Sequence, residues 1–233
     1  MYGRSGTLYS EIDAMIILAL DTAGVDCAAA LYDSGRDTML GEASDMIGKG
    51  HAEHLMGIVD RVLDQAGLTL SDVDRIAVTV GPGSFTGIRV GVAAARGFAL
   101  SLGVPAVGIT TLAVMAEAQR LKTPGSPVLA AMDAKRNEVY LQAFSADGEP
   151  LDEPRAVTVE EAQAIAAALK GEITGSATPL LKPDVTGDHA NQFPISIVAR
   201  LAAAADPSSG KPKPLYLRGP DAKPQAGFAI ARV

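Results

Sequence analysis

The sequence predicts an α/β fold of two similar lobes, each built from three strands, a helix and a further strand. A short apolar stretch that ends in aspartate occurs twice, at 17–21 and at 129–133, an offset of 133 − 21 = 112 residues. A second apolar strand pattern and a turn containing Asp and Gly follow each of them. The period is too long for a solenoid, so it indicates a duplicated lobe. With 233 residues, 48% of them hydrophobic, the chain can bury a sizeable core.

The first lobe is predicted to span residues 15–111 and to mix strands with two helices. Apolar residues recur at helical spacing over 51–66, and Gly67 is placed to end that helix. A second helix, 85–102, stops at Gly103. The strands predicted in this lobe are 15–21, 25–33, 38–44, 75–80 and 106–109.

The second lobe is predicted to span residues 112–218. Its predicted strands are 129–133, 138–145, 150–158 and 172–175, its helices are 159–169 and 195–205, and an extended segment covers 212–218. Residues 1–14 are expected to be a disordered extension or an expression remnant, and 219–233 a C-terminal tail without a clear period.

Composition excludes several classes of protein. The formal net charge is −7 and the basic residues are scattered, so unaided nucleic-acid binding is not expected, because phosphate contacts supply most of that affinity. A role on RNA through a basic partner stays open. Cys27 is the single cysteine and fits a reducing cytoplasm. No uninterrupted apolar run reaches about 18 residues, so no membrane span is expected.

The segment 81–94 carries the strongest local signal, because a glycine-rich turn follows an apolar strand and opens a helix. Ser84 or Thr86 can cap that helix, and free N–H groups at its start could bind an anion. The two strand-end aspartates could hold a metal ion or contact phosphate, or each could simply cap a turn. The candidates for nucleotide or phosphate contact are Asp21, Thr22, Gly83, Ser84 and Asp133.

The same helix carries small residues four apart, Gly87, Gly91 and Ala95. An interior glycine costs a helix about 1 kcal/mol relative to alanine, so the stripe indicates close approach by another helix or backbone. That neighbour could belong to this chain or to a partner.

Neither a metal site nor a nucleophile is predicted. His51 and His54 are three residues apart, whereas a zincin helix has its two histidines four apart, and no other ligands are evident. Ser84 lies in Gly-Ser-Phe-Thr-Gly, which is not the Gly-x-Ser-x-Gly elbow of hydrolases. A peptidase is therefore only a minor alternative.

Four segments together resemble the TsaB (YeaZ-type) family of bacterial tRNA threonylcarbamoyladenosine biosynthesis proteins: 15–23, 81–91, 108–112 and 133–140. The resemblance covers residues 15 to about 218. It implies an actin-like fold and a non-catalytic subunit, without activity alone, that pairs with a homologous catalytic subunit, TsaD. With the ATPase TsaE, that pair would transfer a threonylcarbamoyl group to adenosine 37 of tRNA, which this chain would meet only through the complex.

The resemblance also implies where contacts lie. The catalytic paralogue carries a His-x-x-x-His metal pair where this chain has Thr111 and Met115. The two first-lobe helices would form a four-helix bundle with the partner, or with a second copy when the partner is absent. No tightly bound cofactor is implied, only weak ATP or ADP at the heterodimer interface. The residues expected at that interface are His51, Leu55, Val59, Val62, Phe85, Gly87, Ile88, Gly91 and Ala95.

One alternative of a different class stays open. A self-contained nucleotide hydrolase or kinase of the same fold would use Asp21 and Asp133. Such an enzyme would hydrolyse ATP without a partner, and replacing Asp21 would abolish the activity.

Overall fold

The protein contains two mixed β-sheets, seen in a computed structural model that describes residues 14–185 and 190–218. The first sheet has the strand order β3-β2-β1-β4-β5 and the second β8-β7-β6-β9. The predictions for 1–13 and 219–233 lie outside the described residues. The strands are β1 (Ile16–Asp21), β2 (Asp26–Asp33), β3 (Thr38–Met46), β4 (Arg75–Gly81), β5 (Ala106–Thr110), β6 (Val128–Lys135), β7 (Glu138–Phe144), β8 (Arg155–Thr158) and β9 (Glu172–Thr174).

Helices cover the sheets and connect them. Two of them, α3 and α5, have no counterpart among the helices predicted above. The helices are α1 (His51–Ala66), α2 (Phe85–Leu102), α3 (Thr111–Arg120), α4 (Val159–Leu169), α5 (Thr178–Leu181) and α6 (Ile195–Ala204).

Strand pairing confirms the duplicated α/β fold. In the first lobe β1 pairs antiparallel with β2 and parallel with β4. In the second lobe β6 pairs antiparallel with β7 and parallel with β9. Asp21 ends β1, and Asp133 lies near the end of β6, so the two aspartates occupy corresponding places.

The first sheet is covered on both faces. Leu18 and Leu20 pack with α1 and α2 on one face, while Ile17 and Ala19 pack with α6 on the other. A strand buried on both faces needs a continuous apolar run, and β1 reads Ile-Ile-Leu-Ala-Leu before its aspartate.

The sequence analysis divides the lobes at 111/112 and so assigns α6 to the second lobe. For α6 that assignment is wrong. The helix packs on the first sheet, and Arg75 at the start of β4 fixes its end. The Arg75 Nη1 donates to the carbonyl oxygens of Ala202 and Ala205 at 2.7 and 3.1 Å. Local periodicity identifies a helix but not the sheet it covers, so this crossover was missed.

By length and composition alone, α2 is long and apolar enough to cross a membrane, although the sequence analysis expects no membrane span. The criterion is also met by core helices of soluble proteins. Here Ile88, Val92 and Ala95 are buried against the first sheet, while Arg89 and Arg96 are exposed. Such a one-sided pattern is typical of a helix at the surface of a soluble α/β fold.

Candidate functional site

The glycine-rich loop closes onto the turn that follows β1. The Ser84 N–H donates to the Ala23 carbonyl at 2.8 Å. A Cβ at Gly83 would lie 2.5 Å from that same oxygen, so only glycine fits. Of the two predicted capping residues, Ser84 is the cap, since its hydroxyl accepts the Gly87 N–H at 3.2 Å. The loop and the β1 turn thus form one packed unit.

Asp21 is buried in this unit, with 1% of its surface exposed. Its Oδ1 accepts the Thr79 hydroxyl at 2.5 Å and the Ala23 N–H at 3.0 Å. Burial raises the pKa of Asp21 to about 6, because it penalises the charged carboxylate more than these hydrogen bonds favour it. The side chain is thus part of the lobe interior.

Thr22 is also buried, and its hydroxyl donates to the Gly87 carbonyl at 2.7 Å. Asp21 and Thr22 are therefore engaged inside the lobe and are not on an accessible phosphate-binding surface in this conformation. Of the predicted phosphate set in this lobe, only Gly83 and Ser84 are exposed.

Asp133 of the second lobe shapes its own turn. Its carboxylate accepts the Lys135 backbone N–H at 2.8 Å and the Lys135 Nζ at 2.6 Å. Partial burial opposes ionisation, but the hydrogen bonds and charge of Lys135 outweigh it and hold the pKa of Asp133 below its ordinary value. These contacts fit the alternative in which a strand-end aspartate caps a turn.

The predicted interface set lies mostly in the core of the first lobe. Only Phe85 is exposed, at 57%. The glycine stripe approaches its own chain, because a Cβ on Gly87 would overlap the Thr22 carbonyl and one on Gly91 the Thr22 hydroxyl. The prediction that these side chains face a partner is therefore wrong in this conformation. The buried members are His51, Leu55, Val59, Val62, Gly87, Ile88, Gly91 and Ala95.

Part of the exposed surface of α1 and α2 carries small and apolar residues, and we call this part the outer face. We define the outer face by five exposed residues: Met56, Gly57, Ala93, Gly97 and Leu100. Met56 and Leu100 are exposed at 45% and 81%. A Cβ on Gly57 or Gly97 would meet nothing within 4 Å, so the lobe itself does not require these two interior glycines.

An exposed aromatic–arginine cluster lies at the start of α2. We define it by Phe85, Arg89 and Tyr216. The Arg89 guanidinium carbon lies 3.7 Å from the Phe85 ring centroid, and the Arg89 Nε donates to the Tyr216 hydroxyl at 2.7 Å. Sequence reasoning missed Arg89 and Tyr216 because 127 residues separate them.

Thr111 and Met115 of α3 are both buried. The Thr111 hydroxyl donates to the Pro82 carbonyl of the glycine-rich loop at 2.6 Å, and Met115 packs in the core beneath the second sheet. His51 is likewise engaged, with its Nε2 at 3.1 Å from the Asp26 carbonyl oxygen. Across residues 14–185 and 190–218, no group of three His, Cys, Asp or Glu side chains could hold a metal ion.

Comparisons with known proteins place the chain in a family. A family model described as "TsaD: tRNA N6-adenosine threonylcarbamoyltransferase" matches residues 45–199. The chain is 36% identical over 133 residues to the tRNA threonylcarbamoyladenosine biosynthesis protein TsaB of Escherichia coli, covering 57% of this chain and 56% of that protein. It is 38% identical over 126 residues to the Haemophilus influenzae protein of the same name, covering 54% and 52%. The chain thus spans about half the length of these two curated relatives.

Two further matches extend over most of the chain. An uncharacterized protein of Mycobacterium tuberculosis is 34% identical over 221 residues, covering 93% of this chain and 98% of that protein. The solved structure of YeaZ from Pseudomonas aeruginosa has a TM-score of 0.72 and 28% identity, covering 87% of this chain and 100% of that chain. The chain therefore belongs to the tRNA N6-adenosine threonylcarbamoyltransferase (TsaD) family, as a TsaB/YeaZ-type member with an actin-like fold.

Proposed function

We propose that this chain is a non-catalytic subunit for threonylcarbamoyladenosine formation in tRNA, and that it pairs with a TsaD-type catalytic subunit. The description of the matching family model and the name of the Escherichia coli relative support this reaction. Thr111 and Met115 support the non-catalytic role, because neither is an imidazole or carboxylate ligand and both are buried. The observation that carries the pairing is the outer face of α1 and α2.

The two glycines of the outer face leave room for a close helix–helix contact. Two glycines in helix interiors cost about 1 kcal/mol each relative to alanine, and nothing in the lobe occupies the space above them. A partner helix that approaches Gly57 and Gly97 would use that space, and it would cover Met56 and Leu100. The proposal therefore keeps α1 and α2 as the helices of this chain that contact the partner. It moves the contact from their buried faces to the outer face.

Pairing is tested by light scattering after size exclusion, with this chain alone and mixed with the matching TsaD-type subunit. We expect a one-to-one complex to replace a monomer or homodimer. Gly97→Leu and Met56→Glu should each abolish the complex and leave the circular dichroism spectrum unchanged. The matched control is Leu151→Glu, which changes an exposed leucine in the second lobe and should pair normally. Normal pairing by both outer-face variants would overturn this placement.

The remaining features of the proposal are finer. We propose that a TsaE-type ATPase joins the pair, that the complex works in the cytoplasm and that tRNA meets this chain only within it. Weak ATP or ADP binding at the junction with the partner would fall to Gly83 and Ser84, which are the exposed residues of the glycine-rich loop. Calorimetric titration of ATP into the complex and into each subunit alone tests this last point, and equal heats in all three would refute it.

A further inference from the structure

We propose that the aromatic–arginine cluster of Phe85, Arg89 and Tyr216 is a stacking surface for an unpaired RNA base, through which this chain contacts tRNA directly within its complex. This inference rests on the proposed function for the identity of the RNA. It adds a direct contact by this chain, in place of a role confined to organising the catalytic subunit.

The first argument is the state of the three side chains. Phe85 and Tyr216 are exposed at 57% and 49%, and their ring centroids lie 5.5 Å apart. Arg89 contacts both of them, since its guanidinium lies over the Phe85 ring and its Nε donates to the Tyr216 hydroxyl. Ring faces and guanidinium planes are the groups on which unstacked RNA bases lie. Because their mutual contacts already restrain these side chains, a base would find an ordered surface.

The second argument is charge. Lys211 and Lys213 lie on the segment that leads to Tyr216, both are exposed, and neither forms an ion pair within the part of the chain that the structure describes. The first turn of α2, which carries Phe85, has no acidic residue. Although the chain has a net charge of −7, these two lysines precede Tyr216 by only five and three residues, and their charge matches the phosphates that flank a stacked base.

The third argument is location. The Leu215 N–H donates to the Val80 carbonyl at 2.8 Å, so the segment that carries Tyr216 is fixed beside the end of β4 and the glycine-rich loop. Arg89 is one helical turn from Ala93, so the cluster continues the outer face toward the start of α2. RNA on the cluster would therefore lie next to the proposed partner rather than on a remote surface.

The test measures binding of a fluorescent anticodon stem-loop RNA to the complex with the TsaD-type subunit, and to this chain alone. Tyr216→Leu and Phe85→Leu remove a ring, and Arg89→Lys keeps the charge but loses the plane. We expect each to raise the Kd of the complex about fivefold or more. The matched control is Arg96→Lys, an exposed arginine on the same helix, which should change the Kd less than twofold. Ultraviolet cross-linking should attach the RNA to peptides containing Phe85 or Tyr216.

The outcomes separate this inference from the proposed function. Normal pairing with an unchanged Kd in all three variants would overturn the stacking surface and leave the proposed function intact. Loss of pairing in those variants would mean that the cluster contacts the partner protein, and this result would also overturn the stacking surface. If the wild-type chain fails to pair with the TsaD-type subunit, the proposed function falls, and cross-linking of the chain alone then decides the stacking surface.

Discussion

At the scale of single residues, Asp21 forms its hydrogen bonds inside the first lobe. Asp21 is buried, and its Oδ1 accepts hydrogen bonds from the Thr79 hydroxyl and the Ala23 N–H. Its raised pKa means that the folded state binds a proton more tightly than the unfolded state does. The contribution of Asp21 to the free energy of unfolding should therefore fall as pH rises from about 4 through about 6.

Replacing Asp21 with Asn removes this titration and keeps an oxygen that can accept both hydrogen bonds. A pKa change from 3.8 to about 6 corresponds to about 3 kcal/mol in all, of which about 2 kcal/mol should be lost from the Asp21 contribution between pH 4.5 and pH 7.5. The Asp21→Asn variant should lose less and be the more stable protein at pH 7.5. Urea unfolding at both pH values measures the difference, and equal losses in the two proteins would contradict it.

Two glycines of α2 provide a matched pair. Gly87→Ala would push a methyl group into the Thr22 carbonyl, so we expect a loss of about 2 kcal/mol or more in the free energy of unfolding. Gly97→Ala places its methyl group in open space and should stabilise the isolated chain by up to about 1 kcal/mol. Thermal unfolding measures both. Equal effects of the two substitutions would mean that Gly87 is not in close contact with the β1 turn.

At the scale of elements, α6 depends on a buried cation. Arg75 reaches the carbonyl groups at the end of α6, where unpaired backbone oxygens attract positive charge. Arg75→Met keeps the apolar stem and loses these charged hydrogen bonds, so it should lower the free energy of unfolding by about 2 kcal/mol or more. The control is Arg36→Met, whose side chain is mostly exposed and should matter little. Equal urea midpoints for both variants would contradict the role of Arg75.

Elements were predictable where their signal is local. Helices α1 and α2 and the first strands follow from periodicity and glycine stops, and the offset of the aspartates identified the duplication. The sequence could not show whether the apolar faces of α1 and α2 pack on their own sheet or on a partner. A hydrophobic stripe has the same pattern whether a sheet or another subunit covers it. Gly57 and Gly97 have open space above them and so indicate where a partner helix could approach. Only the structure distinguishes these two glycines from Gly87 and Gly91, which pack against their own chain.

At the scale of the whole molecule, the first lobe is not a continuous stretch of chain. A fragment that ends after α3 lacks α6 and would leave Ile17, Ala19 and Ala30 exposed on one face of the first sheet. We expect residues 14–125 to bind the dye ANS strongly or to aggregate, whereas the full chain should not. A soluble fragment with little dye binding would show that the lobe is complete without α6.

The return of α6 also has a consequence for synthesis on the ribosome. The contact between Arg75 and Ala202 joins residues 127 positions apart. At about 5–20 residues per second, on the order of 10 s must pass between the emergence of β4 and that of the helix that covers it. During that interval we expect the nascent chain to expose the sheet face that α6 covers in the finished fold, which is the kind of apolar surface that chaperones bind. The order in which the residues are made, rather than the final set of contacts, thus determines when this protein is most exposed to aggregation.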